Sequence, residues 1–380
     1  MKRVYWRPPG VSRSALAMIA LAAVAALVIV ERFPVVRKQS WHTEKIRAAR
    51  LSYDAMRAIK AERIKRGLVI DPEVDPHQTG LIGFSLTPIT SNTGYISAKR
   101  ASTNPNFAAV ILHFLKRAGV ERGDAVAVGL SGSFPALSVS TFAALQVLEA
   151  NAIVIASVSG SEWGANDPTY TWLDMERTLF ENKLFSYRSA AASRGGIDDR
   201  GMGMSKEGRA LIDAAIARNN VERFDSTSLV DAIERRMSLY DARAGEKPIK
   251  AYVNVGGGSA SVGTHVGKKQ FRPGLNSEPP RGEGIVDSVM LRFAERGVPV
   301  VHVSNIAQIA KSNGLRADSE QDPRIGEGSV FIKAEPNRLL AGLGVGIILA
   351  VMLAFIRLDV GVRILRSRKK ESVKQPQQMV

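Results

Sequence analysis

The sequence predicts an α/β domain, built as three layers on a parallel sheet and flanked by N-terminal and C-terminal transmembrane helices. Three observations lead there. Short runs of β-branched and small apolar residues ("AVAVGL", 125–130; "AIVIASV", 152–158; "IKAYVNV", 249–255) recur between amphipathic stretches of helix length. Strands covered by helices on both faces read this way. Two uncharged apolar stretches, 14–30 and 339–356, bracket these runs. No internal repeat or low-complexity tract divides the middle, so 67–335 reads as one domain.

Residues 1–13 form a basic N-terminus with Lys2, Arg3, Arg7 and Arg13 and no acid. The seventeen residues of 14–30 and the eighteen of 339–356 lie at the short end of what crosses a hydrocarbon core of roughly 30 Å as a helix. A cleaved signal peptide is the alternative for the first. Its long apolar part, the absence of an A-x-A site following it and the abrupt Glu31-Arg32 favour an uncleaved anchor. Arg363, Arg366, Arg368, Lys369 and Lys370 crowd the far side of the second span, in a basic tail of 357–380, against Lys333 and Arg338 before it. The positive-inside rule places that tail in the cytoplasm, and two passes bring the N-terminus to the same side. The expectation is a two-pass protein of the cell (inner) membrane, embedded in the lipid bilayer, with its domain extracytoplasmic. Arg32, Arg37, Lys38, Lys45 and Arg47 argue the reverse if taken alone, but long domains translocate largely regardless of charge. Gly342 and Gly346, with Ala22 and Ala26, offer small-xxx-small pairs for contact between the spans or with partner helices.

Residues 37–66 are basic and free of Gly and Pro, ending in Lys65, Arg66 and then Gly67. Cations followed by a glycine that tolerates the left-handed cap mark a helix end. Within it, 40–66 predicts a juxtamembrane helix of about seven turns, its cations facing solvent, lipid headgroups or a polyanion. In the loop behind it, Asp71, Asp75 and His77 invite a metal, but Pro72 and Pro76 point to turn chemistry. Asn104 and Pro105 predict a helix start, running to about Lys116. A helix over 135–149 follows the first strand. Asp167 and Pro168 repeat the capping signal, 184–190 ("LFSYRSA") reads as a third strand, and Ser205 and the 228–243 stretch begin two more helices. A helix near 285–295 and a strand over 297–304 complete the order.

Composition removes several functions. With no cysteine, disulfides, thiolate catalysis and Cys-based zinc sites are excluded. Of the net charge of +16, residues 1–13 contribute +4 and the stretch from Arg357 contributes +5, so the middle holds +7. That moderate excess suits a polyanion, less strongly than the pI of about 10.1 suggests. No Gly-Lys-Ser/Thr completes a P-loop and no G-x-G-x-x-G stands in frame. Nucleotide use is disfavoured, and no cofactor, metal or nucleic acid is expected.

Ligands of open parallel sheets bind beyond the carboxyl ends of the strands, and small polar residues gather at those ends here. The first strand runs into Gly129, Ser131, Gly132 and Ser133. The second runs into Ser157, Ser159, Ser161 and Asn166, the fourth into Asn254, Gly256, Gly257, Gly258 and Ser259, and the fifth ends at His302. Glycine lets backbone N–H groups approach an anion, so these residues are candidates for carboxylate or phosphate binding. An enzymatic reading stays open beside it. Ser131 sits in a near-elbow, where Gly129 fits G-x-S-x-G but Ser133 replaces the last glycine. His302 is the candidate base, with Asp174 or Asp287 to orient it, and Ser133 is the neighbouring candidate nucleophile. Asp174 and Glu176, two apart on a helix, diverge and read as surface or capping groups. Trp163 and Trp172 read as core.

The segments "GLIGFSLTPITSNTGYISAKRASTNPNFAA", "VAVGLSGSFPAL", "SEWGANDPTYTWLDMER" and "AYVNVGGGSASVG" together resemble the bacterial poly-γ-glutamate system protein family, over about 53–331. The resemblance implies an accessory role in synthesis, export or release of an anionic capsule or slime polymer. Its implied partners are that polymer and other membrane components of the machinery. It carries over no catalytic residue; the synthetic step in such systems belongs to a separate ATP-dependent ligase. Two functions follow: a membrane-anchored module that binds the polymer, or a serine-dependent hydrolase or transpeptidase-like enzyme that cuts its γ-glutamyl amide bonds.

Overall fold

The computed structural model describes residues 13–316 and 322–358. The cations of 1–12 and of the tail from 359, on which the orientation argument rests, lie outside the described residues. In chain order the elements are α1 (Arg13–Arg32), β1 (Val35–Lys38), α2 (His42–Lys65), β2 (Thr90–Asn92), α3 (Ile96–Ser102), α4 (Phe107–Arg117), β3 (Ala125–Ser131) and α5 (Pro135–Leu148). Next come β4 (Asn151–Ser157), β5 (Gly160–Ser161), α6 (Trp172–Glu181), β6 (Ala191–Ser193), α7 (Lys206–Arg218), β7 (Glu222–Arg223), α8 (Leu229–Ala244) and β8 (Ile249–Val255). The chain continues through α9 (Ser259–Val262), α10 (His265–Gln270), β9 (Gly274–Asn276), α11 (Val289–Glu295), β10 (Val300–Val303), α12 (Ile306–Ser312), β11 (Ile332–Glu335) and α13 (Arg338–Leu358).

Two compact units result, the terminal segments up to Arg37 and from Lys333, and the domain Lys38–Ile332. The domain is α/β, with a seven-stranded sheet in the order β7-β6-β4-β3-β8-β10-β9. All neighbours are parallel except β9, which runs antiparallel to β10 at the edge. The strand side chains alternate between two cores, as the pleat requires. Val126, Val128, Leu130, Val154 and Val253 join Leu112 and Phe142 on one face, while Ala127, Ile153, Ile155 and Tyr252 join Ile233 and Phe293 on the other. The sheet is therefore the middle of three layers. The basic helix α2 is part of this domain: Ala48, Ala49, Ala55 and Ile59 are buried, and it packs on α4, α5 and α6. Its buried Lys45 donates to the Val330 carbonyl at 2.8 Å.

Local signals set several helices as expected. Ser205 and Ser228 accept from Gly208 N and Asp231 N, satisfying donors that a helix start leaves free. Other expectations are corrected. The strand expected over 184–190 is displaced to Ala191–Ser193. The earlier residues are engaged elsewhere, Phe185 in the core, Tyr187 Oη on the Ala150 carbonyl, and Ser189 on Glu176. The helix expected at Asp167 begins at Trp172 with a Thr171–Asp174 capping box, while Asp167 closes a turn on Thr169. Asp174 thus has the capping role expected for it, but it and Glu176 are fully buried rather than on the surface. Arg218 and Asn219 meet Asp174 at 2.6–2.9 Å. Burial alone would raise the Asp174 pKa, but those bonds outweigh it and the pKa falls. Glu176 is pushed up to about 7 by burial, against the Ser189 bonds.

In the terminal unit, α1 and α13 pack together and β1 pairs with β11. Among the described residues, Arg338–Phe355 is long and apolar enough to cross a bilayer. Contact between the two helices uses Gly344, not the expected glycines. A Cβ on Gly344 would stand 2.9 Å from Ala26 Cβ, whereas Gly342 and Gly346 have nothing within 4 Å.

Candidate functional site

From the central strand β3 the chain builds outward through β4, β6 and β7, then returns to the other side of β3 with β8. The order reverses between β3 and β8, the place at the carboxyl edge where open parallel sheets bind their ligands. The candidate cleft there is bounded by two walls, residues 131–133 and 256–258.

These walls are fitted closely. Gly256 has φ +97°, and a Cβ there would lie 2.1 Å from Ser131 Oγ, so only glycine can occupy the position. Gly132 gives its N–H to the Ser157 and Ser159 carbonyls, and Ser133 N donates to Ser131 Oγ at 3.4 Å. The donors of the first loop thus point into the fold. Gly257 and Gly258 are half-buried, and neither donates its N–H to another described residue.

Two lysines complete the cleft. Lys268, on α10, is half-buried and brings Nζ to 3.7 Å from where a Gly257 Cβ would stand. Lys99, on α3, is 2% exposed. Its Nζ meets the Ser133 carbonyl, lies 2.7 Å from Ser161 Oγ and sits 4.2 Å from the Phe134 ring centre. Burial, and then the charge of Lys268, lower the Lys99 pKa to about 7 against the pull of Glu162. Burial lowers that of Lys268 as well. Among the described residues no carboxylate forms an ion pair with either lysine. An unpaired cation held out of water is costly, and an anion in the cleft would remove that cost.

The remaining expected residues fall into different places. His302 lies beside Asn254 in register, and Asn254 Nδ2 is 3.0 Å from its Nδ1. If that amide donates, the ring proton sits on Nε2. Burial, then Lys268, lower the His302 pKa to about 4, so it is neutral near pH 7. No hydrogen bond joins His302 to Ser131 or Ser133, and Asp174 and Asp287 pair with Arg218 and Arg292; the structure does not assemble these five as a triad. Gly129 makes room for the Tyr252 hydroxyl, 2.2 Å from its would-be Cβ. Asn166 is sealed and clamps Phe84 through both its amide atoms. Ser159 Oγ packs under Gly195, and Ser259 Oγ donates to the Gly196 carbonyl at 2.5 Å. In the 71–77 loop, Asp75 accepts from Thr79 and Gly80 while His77 meets Asp322 at 2.7 Å.

Sequence reasoning found the glycine walls and missed Lys99 and Lys268. A weak signal existed for the second, a Lys-Lys pair ten residues beyond the glycine run; Lys99 had none. Fold and site together define an α/β domain with two lysines at its topological switch point that, among the described residues, have no carboxylate in an ion pair. No family model, curated protein or solved structure matches the chain.

Proposed function

We propose that this chain is a membrane-anchored accessory protein of poly-γ-glutamate synthesis, export or release, and that its switch-point cleft holds the polymer by the free α-carboxylates. The supporting observation is that Lys268 lies beside Gly257 and Lys99 on the opposite wall at Ser133, with no carboxylate in an ion pair with either among the described residues. A γ-linked chain presents one carboxylate per residue, which fits two cations beside free backbone N–H groups. In this reading Lys268 grips a carboxylate and Lys99 adds its charge whenever it is protonated. The apolar faces of α1 and α13 hold the domain at the membrane by two passes, with both termini cytoplasmic and the domain outside.

Fluorescence anisotropy of labelled γ-linked polyglutamate with the full chain in detergent tests the binding. Salt-sensitive binding, weakened by Lys268→Met, is the expected result. Absence of binding at low salt would overturn the reading. A reporter fused at residue 200 tests the sidedness, which a cytoplasmic signal would refute.

A further inference from the structure

Among the strand-end serines, Ser161 differs from the rest in what its hydroxyl touches. Ser131 Oγ is packed against the Cα of Gly256, and Ser133 Oγ receives the Ser161 N–H at 3.1 Å. Ser157 and Ser193 belong to a sealed ion-pair cluster. Ser161 Oγ has one hydrogen-bond partner among the described residues, the Lys99 amine at 2.7 Å.

The backbone that presents Ser161 is held firmly. The two residues of β5 pair in parallel with β2, Gly160 against Thr90 and Ser161 against Asn92. Gly160 and Gly164 press on the Gly132 carbonyl so closely that a Cβ on either would come within 2.8 Å of it. Ser161 itself is 8% exposed and borders the wall formed by Ser133. Lys99 is fixed as well, between the Ser133 carbonyl and the face of Phe134.

An amine buried this way, with no carboxylate in an ion pair, is favoured in its neutral form. A neutral amine has a lone pair, so the contact becomes Oγ–H donating to Nζ. That is the arrangement of a nucleophile and its base.

We infer that Ser161 and Lys99 form a nucleophile–base pair that cleaves an acyl bond, amide or ester, of the anionic chain held in the cleft. The identity of that chain rests on the binding reading above; the pair itself does not. As Ser161 Oγ bonds to the carbonyl carbon, its proton passes to the Lys99 amine and the carbonyl electrons move to oxygen. When the tetrahedral adduct collapses, the C–N bond of an amide or the C–O bond of an ester breaks and the Lys99 ammonium returns the proton to the leaving nitrogen or oxygen. Water then attacks the acyl-serine, gives a proton to Lys99, and releases the acid as Ser161 recovers its own. Lys268, beside Gly257, holds a neighbouring carboxylate and remains outside the proton transfers. The charged groups facing Lys99 are Lys268 from α10 and Glu162 after β5, and the first dominates. One proton therefore serves two purposes. It strengthens anion holding below about pH 7, and its loss above that pH frees the base.

The test uses the full chain in detergent, an alkyl fluorophosphonate as serine probe and peptide mass mapping. The expected adduct is on Ser161, with a rate that rises about tenfold per pH unit below pH 7 and levels above it. Lys99→Arg keeps a cation in place but cannot act as a base, and is expected to slow labelling by about a hundredfold or more. Lys99→Met should do the same, and Ser161→Ala should remove the adduct. No adduct on Ser161, or labelling indifferent to Lys99→Arg, overturns the inference. Binding of a γ-glutamyl oligomer is measured on the same samples. Binding without labelling sinks the pair and spares the carboxylate cleft, whereas labelling without binding sinks the cleft and spares the pair.

Discussion

Two clusters stand along the carboxyl edge of one sheet, and they treat charge in opposite ways. Beyond β4 and β6, Arg236 reaches in from α8 to Asp199 at 2.8 and 3.1 Å and to Ser157 and Ser193 at 3.0 and 2.9 Å. Both serines in turn donate to the other Asp199 oxygen. Burial works against the Arg236 charge, but Asp199 outweighs it and the pKa rises. Beyond β3 and β8, neither Lys99 nor Lys268 has a carboxylate in an ion pair among the described residues, and both pKa values fall. The fold supplied an anion in the first place and none in the second. Where both signs are built in, charge is structural; where one is missing, a ligand is the natural source of it.

Substitutions should separate the two. Arg236→Met leaves Asp199 buried and unpaired, and should cost about 3–5 kcal/mol of stability. Denaturant unfolding of the full chain in detergent measures it, and retained protein should still bind polymer. Next in size is Gly256→Ala, which forces a Cβ onto Ser131 Oγ at φ +97°. It should cost about 1–3 kcal/mol and weaken oligomer binding by about tenfold or more, the equivalent of about 1.4 kcal/mol or more. Lys268→Met should weaken binding by about tenfold while leaving the unfolding midpoint unchanged or raised, since it removes an unpaired, partly desolvated cation. A fall in both would place Lys268 with the structural cluster.

The pH dependence of stability has a definite sign as well. Lys99 binds its proton less readily in the folded chain, at about 7 against 10.5 for the free side chain. Between those values the unfolded chain holds more protons, so this group makes stability rise with pH. Its penalty is fully present below about pH 7 and is relieved by about pH 10.5. Lys99→Met should lack that rise, and unfolding curves for the two proteins between pH 6 and pH 9.5 would show the difference. Anion binding has the reverse dependence, because a carboxylate favours the protonated amine.

The sheet was legible because its inner strands are nearly continuous apolar runs, and the helices at Ser205 and Ser228 because their caps are local. The edges were not. Ala191–Ser193 and Glu222–Arg223 are too short to show a period. They are strands because of the neighbours that they meet. The cleft shows the same division. Gly256 announces a close approach by being glycine next to glycine. Lys99 becomes a site residue through Ser133 and Ser161, 34 and 62 positions away, and Asp174 is buried with an arginine 44 positions on. Contacts of that reach leave no mark within a helix-length window.

The cation pair and its missing anion are tested most directly by calorimetric titration of a short γ-glutamyl oligomer into the full chain in detergent. Wild type and Lys268→Met are compared at pH 6 and pH 8.5. Tighter binding by wild type at pH 6, with net proton uptake near pH 7 and a clear loss in Lys268→Met, is the predicted result. Equal affinity at the two pH values, together with undiminished binding by Lys268→Met, would contradict the account.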